Sequence, residues 1–123
     1  MWDDSIDDYI RVLAGERGSS PHTIRNYGDD LRQFAAWMKE NGIGDPSGVT
    51  HLHVRGYLAD LQKKEYAKRS VSRKLSALRS FFRHLVREGR LEASPLQFIR
   101  TPKQDKRLPK FLYVDEMEEL LRL

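Results

Sequence analysis

Between residues 69 and 87 apolar residues recur at Val71, Leu75, Leu78, Phe82 and Leu85, with steps of four, three, four and three. At about 3.6 residues per turn, that spacing places all five on one side of an α-helix and fits no strand. The opposite side reads Arg69, Ser72, Arg73, Ser76, Arg79, Ser80, Arg83 and Arg87, without an acid among them. A helix so divided must bury one side, and the adjacent Phe81 and Phe82 demand further apolar neighbours. The rest of the chain therefore has to supply a helical core. The other side is built for a different partner. Arginine presents a planar fork of donors that suits phosphates and guanine edges. Serines between the arginines keep the surface low, so that a bulky partner can approach and hydroxyls can reach phosphate oxygens. A merely solvated helix usually mixes charge signs for i,i+4 pairing. The missing acid therefore points to nucleic acid.

The formal net charge of +4 hides a strong asymmetry. Residues 1–62 carry six Lys/Arg against ten Asp/Glu, residues 63–110 carry fifteen against four, and residues 111–123 carry one against four. A basic segment between acidic flanks is the electrostatic footprint of a phosphate binder. Lipid headgroups could attract the same charge, but the apolar side of this helix reads as core, so no membrane partner is expected. There is no cysteine, which excludes disulfides, thiolate nucleophiles and zinc–thiolate sites and fits a reducing cytoplasm. No apolar run approaches the roughly 18 residues of a membrane span, and the acidic start Trp2-Asp3-Asp4 is unlike a signal peptide.

The chain reads as all-α. Ser5 is a candidate N-cap, with Asp7 and Asp8 in the first turn, ahead of an apolar stripe of Ile6, Tyr9, Ile10 and Leu13 that ends near Gly15 to Gly18. Ser20 as cap and Pro21 at the first helical position begin a second helix, with Ile24, Tyr27, Leu31, Phe34 and Met38 on one face and Trp37 beside them. Asn41-Gly42 closes it. After a loop through Pro46 and Gly48, Thr50 caps a third helix facing inward through Val54, Tyr57, Leu58 and Leu61. The basic helix is the fourth, from about Ala67 to Glu88, with Gly89 in the position that ends helices. Ser94-Pro95 begins a short fifth helix over Leu96, Phe98 and Ile99. Thr101 to Lys110 is polar, basic and proline-containing, which reads as a linker. From Val114 on, Met117, Leu120 and Leu121 mark the apolar face of a helix whose partners are expected in a larger protein.

Three segments carry a resemblance. The second helix holds Ser20, Thr23, Tyr27, Asp30-Leu31, Phe34 and Trp37; the fourth reads Ser72-Arg73-Lys74-Leu75-Ser76-Ala77-Leu78-Arg79-Ser80-Phe81-Phe82-Arg83; the tail holds Ser94-Pro95, Pro102-Lys103 and Leu108-Pro109-Lys110-Phe111-Leu112. Together they resemble the N-terminal core-binding domain of the tyrosine recombinases, the phage-integrase family, closest to the Xer type. The resemblance covers essentially the whole chain. It implies a SAM-like bundle of four main helices plus a short fifth helix and a C-terminal linker. The implied organisation is a DNA-binding domain over residues 1–100, a linker over 101–112 and the start of a catalytic domain over 113–123. Tyr113 departs from the family, which has Ser or Thr there as a helix cap.

The resemblance further implies one half of a clamp on a double-stranded DNA half-site, with the second and fourth helices toward the major groove, and other recombinase protomers as partners in DNA recombination and integration; chromosome dimer resolution, phage integration and movement of an integron cassette are the alternatives it leaves open. The expected contacts are His22, Arg25, Asn26 and Arg32 on the second helix and Lys68, Arg69, Ser72, Arg73, Ser76, Arg79, Ser80, Arg83 and Arg87 on the fourth. Asp29 and Asp30 are expected to repel phosphate. The family's nucleophilic tyrosine and its helpers lie in the C-terminal domain, so no catalytic residue and no cofactor is assigned. Tyr9, Tyr27 and Tyr57 fall on apolar faces and read as core; Tyr66 and Tyr113 sit at element boundaries with no base nearby in sequence. His51 and His53 diverge on a helix and make a poor metal pair, and the isolated His22 and His84 read as surface or phosphate-contact residues. Two other classes fit a basic helical domain: a stand-alone helical regulator and a helical module that binds an acidic protein. The first lacks a sharp turn before the basic helix, and the serine spacing argues against the second.

Overall fold

A computed structural model describes residues 2–15, 18–97 and 99 of the 123-residue chain. The described residues form helices α1 (Trp2–Gly15), α2 (Pro21–Glu40), α3 (His51–Lys63) and α4 (Lys68–Arg87), with one 3₁₀ turn at Pro46–Gly48 and no strand. The linker over 101–112, the segment over 113–123 with Tyr113, and Phe98 lie outside the described residues.

The ends follow local chemistry. Ser20 Oγ accepts from the Thr23 amide at 3.1 Å, and Pro21 opens α2. Thr50 caps α3 reciprocally: its hydroxyl accepts from the His53 amide, while His53 Nδ1 accepts from the Thr50 amide at 3.0 Å. α2, α3 and α4 all end in paired reversed hydrogen bonds around a left-handed residue. For α4 these run from Gly89 N to Val86 O and from Arg90 N to Leu85 O. Gly42 and Gly89 take the left-handed position at φ 84° and 78°, as such turns require, but after α3 it falls to Glu65 at φ 64°.

Two local expectations are corrected. α1 starts at Trp2, a turn before Ser5, with Asp3 and Asp4 in its first turn. Trp2 earns the extra turn by burial, its indole N–H donating to the Ile43 carbonyl at 3.0 Å. Ser5 is buried and accepts from Arg90 Nη1. Where the sequence predicts a short fifth helix, residues 95–97 form a turn with the Leu96 amide donating to Ser94 Oγ, and Leu96 and Ile99 still enter the core.

Aromatic rings tie the bundle together. Phe34 of α2 meets Trp2 of α1, Tyr57 of α3 and Phe82 of α4 edge-on, with centroids at 5.7, 5.0 and 6.1 Å. Phe81 lies against Trp2, Tyr9 and Phe82. Leu75, Leu78, Phe82 and Leu85 are buried as their spacing predicts, and Val71 is half-buried. The buried arc of α4 is wider than its apolar stripe. It includes Ala77, Lys74 and His84, because α1 and α2 cover both margins. Tyr9 reaches from α1 to α4, where its ring lies tilted against His84 and its hydroxyl donates to Ser80 Oγ at 2.6 Å. His84 is therefore a core residue and not a surface one.

Candidate nucleic-acid interface

With its apolar arc packed, α4 turns Arg69, Arg73, Ser76, Arg83 and Arg87 outward, and Lys68 is exposed at its start. Ser72, Arg79 and Ser80 sit at the margins, half-buried. Ser80 already accepts from Tyr9, and Ser72 Oγ is buried without a protein partner. Arg79 folds back, donating from Nη2 to the Ile99 carbonyl at 2.7 Å, so it also ties α4 to the chain beyond it. Arg79 and Arg83 border an open hollow of about 500 Å³ whose other side is Ser94, Leu96 and Gln97.

On α2, His22, Arg25 and Arg32 are exposed and Asn26 is half-buried. Arg32 lies 3.9 Å from Asp29 of its own helix, an exposed pair of little energetic weight. Asp29 thus leaves an acid on this surface. Asp30 does not. It is 3% exposed and faces α4, where Oδ2 accepts from Arg73 Nε at 3.0 Å and Oδ1 from Arg73 Nη2 at 3.1 Å. Oδ1 also accepts from Lys74 Nζ at 2.9 Å. Lys74 Nζ continues to Gln33 Oε1 and lies 5.3 Å from the centroid of the Tyr66 ring, whose hydroxyl accepts from Gln33 Nε2. The expected repulsion between Asp30 and phosphate is therefore corrected: its charge is consumed inside the α2–α4 joint.

Lys74, Asp30, Gln33 and Tyr66 form a polar cluster that the sequence reading missed. One signal was available. On a helical wheel Lys74 lies on the apolar side, and a buried ammonium demands an acid. The ion pair raises the Arg73 pKa further, chiefly through the Asp30 hydrogen bond, so this cation is permanent. His84 goes the other way: burial lowers its pKa below the usual 6.5.

Among the described residues, the four tyrosines are accounted for by packing and hydrogen bonding. Tyr9 is hydrogen-bonded in the core, and Tyr57 is buried beside Phe34 and Trp37, its phenol pushed upward by desolvation. Tyr27 is half-buried, and Tyr66 belongs to the Lys74 cluster. His53 is engaged in the cap of α3. Among the described residues no three His, Asp or Glu side chains converge as metal ligands, and no helix is long and apolar enough to cross a membrane.

Comparison with known proteins agrees with this geometry. Residues 6–89 match the family model described as the phage integrase N-terminal SAM-like domain. The chain is similar to tyrosine recombinase XerC of Halalkalibacterium halodurans, 45% identical over 97% of this chain and 39% of that protein. It is 40% identical to XerC of Oceanobacillus iheyensis, over 96% of this chain and 39% of that one. It is 39% identical to tyrosine recombinase XerD of Listeria monocytogenes, over 96% of this chain and 40% of the relative. No solved structure matches. The chain spans about two fifths of the length of these curated relatives. An all-helical bundle with an acid-free basic helix and a family match over all but the first turn of that bundle lead to one assignment: the chain belongs to the phage integrase N-terminal SAM-like domain family.

Proposed function

We propose that this chain is the DNA-gripping N-terminal half of a site-specific tyrosine recombinase, holding a duplex half-site while strand cleavage resides in a part of the protein outside this chain. The observation that carries the reading is the outward row Arg69, Arg73, Ser76, Arg83 and Arg87 on a helix whose other side is locked into the core. The names of the relatives, tyrosine recombinases, accord with it. In this reading the reaction served is site-specific DNA recombination, with further recombinase protomers as partners and the cytoplasm as its setting. His22, Arg25, Asn26 and Arg32 of α2 widen the surface beside α4, and Lys68, Arg79, Ser72 and Ser80 line its edge.

Such a surface binds through counterion release. If roughly five phosphates are neutralised, the logarithm of the binding constant falls against the logarithm of salt concentration with a slope of about −4 to −5. Titration of a labelled duplex by fluorescence anisotropy at several salt concentrations tests this. Flat salt dependence, or no binding at low ionic strength, overturns the proposal. The same chain, given a nicked suicide substrate and run on a denaturing gel, is expected to form no covalent adduct, since no described tyrosine has a base and a phosphate clamp around it.

A further inference from the structure

Asp30 does more than hold α2 to α4. Its carboxylate grips Arg73 side-on, through Nε and Nη2, which uses two of the five guanidinium donors. The end-on edge, both Nη1 hydrogens and the second on Nη2, stays available on a side chain that is 44% exposed. Lys74 shares Oδ1 of the carboxylate at 2.9 Å and is itself only 7% exposed. Both cations compensate the buried carboxylate, and Arg73 is held while staying partly in solvent. Among the described residues no ion pair holds Arg69, Arg83 or Arg87 in this way. A free arginine samples many rotamers, which suffices for a phosphate. Reading a base edge needs a fork fixed in position and plane.

We infer that Asp30 is a positioning residue that fixes Arg73 to read a base edge in the major groove, the two acceptors of a guanine being the natural target, while Arg69, Arg83 and Arg87 meet phosphates. The inference rests on the DNA-binding reading above and adds sequence discrimination to it. Removing Asp30 should have an unusual signature. Asp30 is buried and the exposed cations stay in place, so affinity for arbitrary duplex holds. Arg73 is released, so preference at one position of the site falls.

Asp30→Asn alone leaves Lys74 as a buried unpaired cation, so the informative comparison is Lys74→Met against Asp30→Asn combined with Lys74→Met. The probe is a pool of duplexes with a randomised central segment, selected on the wild-type chain and sequenced, then single preferred and altered duplexes titrated. Lys74→Met retains the Asp30–Arg73 pair and is expected to retain the preference. The double variant is expected to lose about ten- to a hundred-fold of discrimination at one base pair, with binding to mixed-sequence duplex undiminished. A parallel loss of preferred and mixed-sequence binding means a structural role only, and unchanged discrimination means no role; either overturns the inference. Wild-type protein that binds duplex without any preference overturns it while leaving the DNA-binding reading intact, and absence of binding overturns both. A measurement on the unmodified chain covers the case where the double variant does not fold. The Arg73 Nε–H resonance should keep its hydrogen-bonded shift when preferred duplex is added, while the Nη signals move. Release of Nε on binding refutes the inference.

Discussion

Arg73 and Arg83 lie on the same face of α4, yet they differ in what they do for the fold. Arg73 contributes a two-pronged hydrogen bond to a buried acid, whereas Arg83 projects into solvent. Arg83→Ala is therefore expected to shift stability by no more than about 0.5 kcal/mol. Arg73→Ala is expected to cost about 1 to 2 kcal/mol, less than a fully buried pair because Lys74 still compensates Asp30 and the guanidinium is partly in water. Thermal melts of the two variants separate these outcomes, and equal melting temperatures would show that the Asp30–Arg73 pair contributes nothing. His84 carries a pH dependence. Its folded pKa is depressed by burial, so the unfolded chain takes up a proton more readily. Stability from this residue is complete above pH 6.5 and is lost as pH falls below it. Melting temperatures between about pH 5 and 7 should rise with pH, and His84→Gln should flatten that rise. An unchanged slope in the variant would assign the effect to other groups.

At the scale of elements, α4 is a two-sided helix whose inner side carries the stability. Leu78 is 1% exposed, and Leu78→Ala should cost about 2 to 5 kcal/mol, seen as a large drop in the denaturant midpoint. A cost under about 1 kcal/mol would mean that the helix is rotated from its described packing. The turn between α3 and α4 offers the opposite test. Glu65 holds a left-handed conformation that costs a non-glycine residue about 1 to 2 kcal/mol. Glycine removes that strain but adds about 0.5 to 1 kcal/mol of unfolded-state freedom. Glu65→Gly is therefore expected to be neutral to about 1 kcal/mol stabilising. A marked destabilisation would show that the glutamate side chain has a role that its exposed position does not reveal. The turn matters for the α2–α4 joint, because it delivers Tyr66 to Gln33 of α2 and Lys74 of α4.

For the whole molecule, the aromatic cluster decides which faces remain outside. Phe34 touches an aromatic ring from each of the other three helices, so α2 is the hub and α1, α3 and α4 are set around it. Trp2 closes the assembly from the chain's start by reaching Ile43 beyond the end of α2. Trp2→Phe keeps a ring but leaves a buried carbonyl without its donor, at an expected cost of about 1 to 3 kcal/mol. Chemical denaturation followed by circular dichroism measures it, and a neutral result would place the first turn of α1 outside the cooperative unit. With these contacts intact, α2 and α4 are joined through Asp30 to Arg73 and Lys74, and both helices carry exposed cations beside that joint.

The sequence by itself determined the four main helices and most of their ends. The 3.6-residue rhythm, Ser20-Pro21, Thr50, Asn41-Gly42 and Gly89 are local signals, each legible within a few residues of where it acts. It also determined that one helix is basic on a single side, and it carried the motifs of the family. The tertiary structure decided which polar residues the core would accept. Asp30 with Lys74, Tyr9 with Ser80 and Ser5 with Arg90 meet across 44, 71 and 85 positions of chain. A short side chain such as Ser5 reads as a cap until a neighbour covers it, and His84 reads as surface until α1 lies over it. Burial of a polar group depends on the partner brought to it from elsewhere. Periodicity records the repeat along a helix; it does not record how wide an arc its neighbours cover.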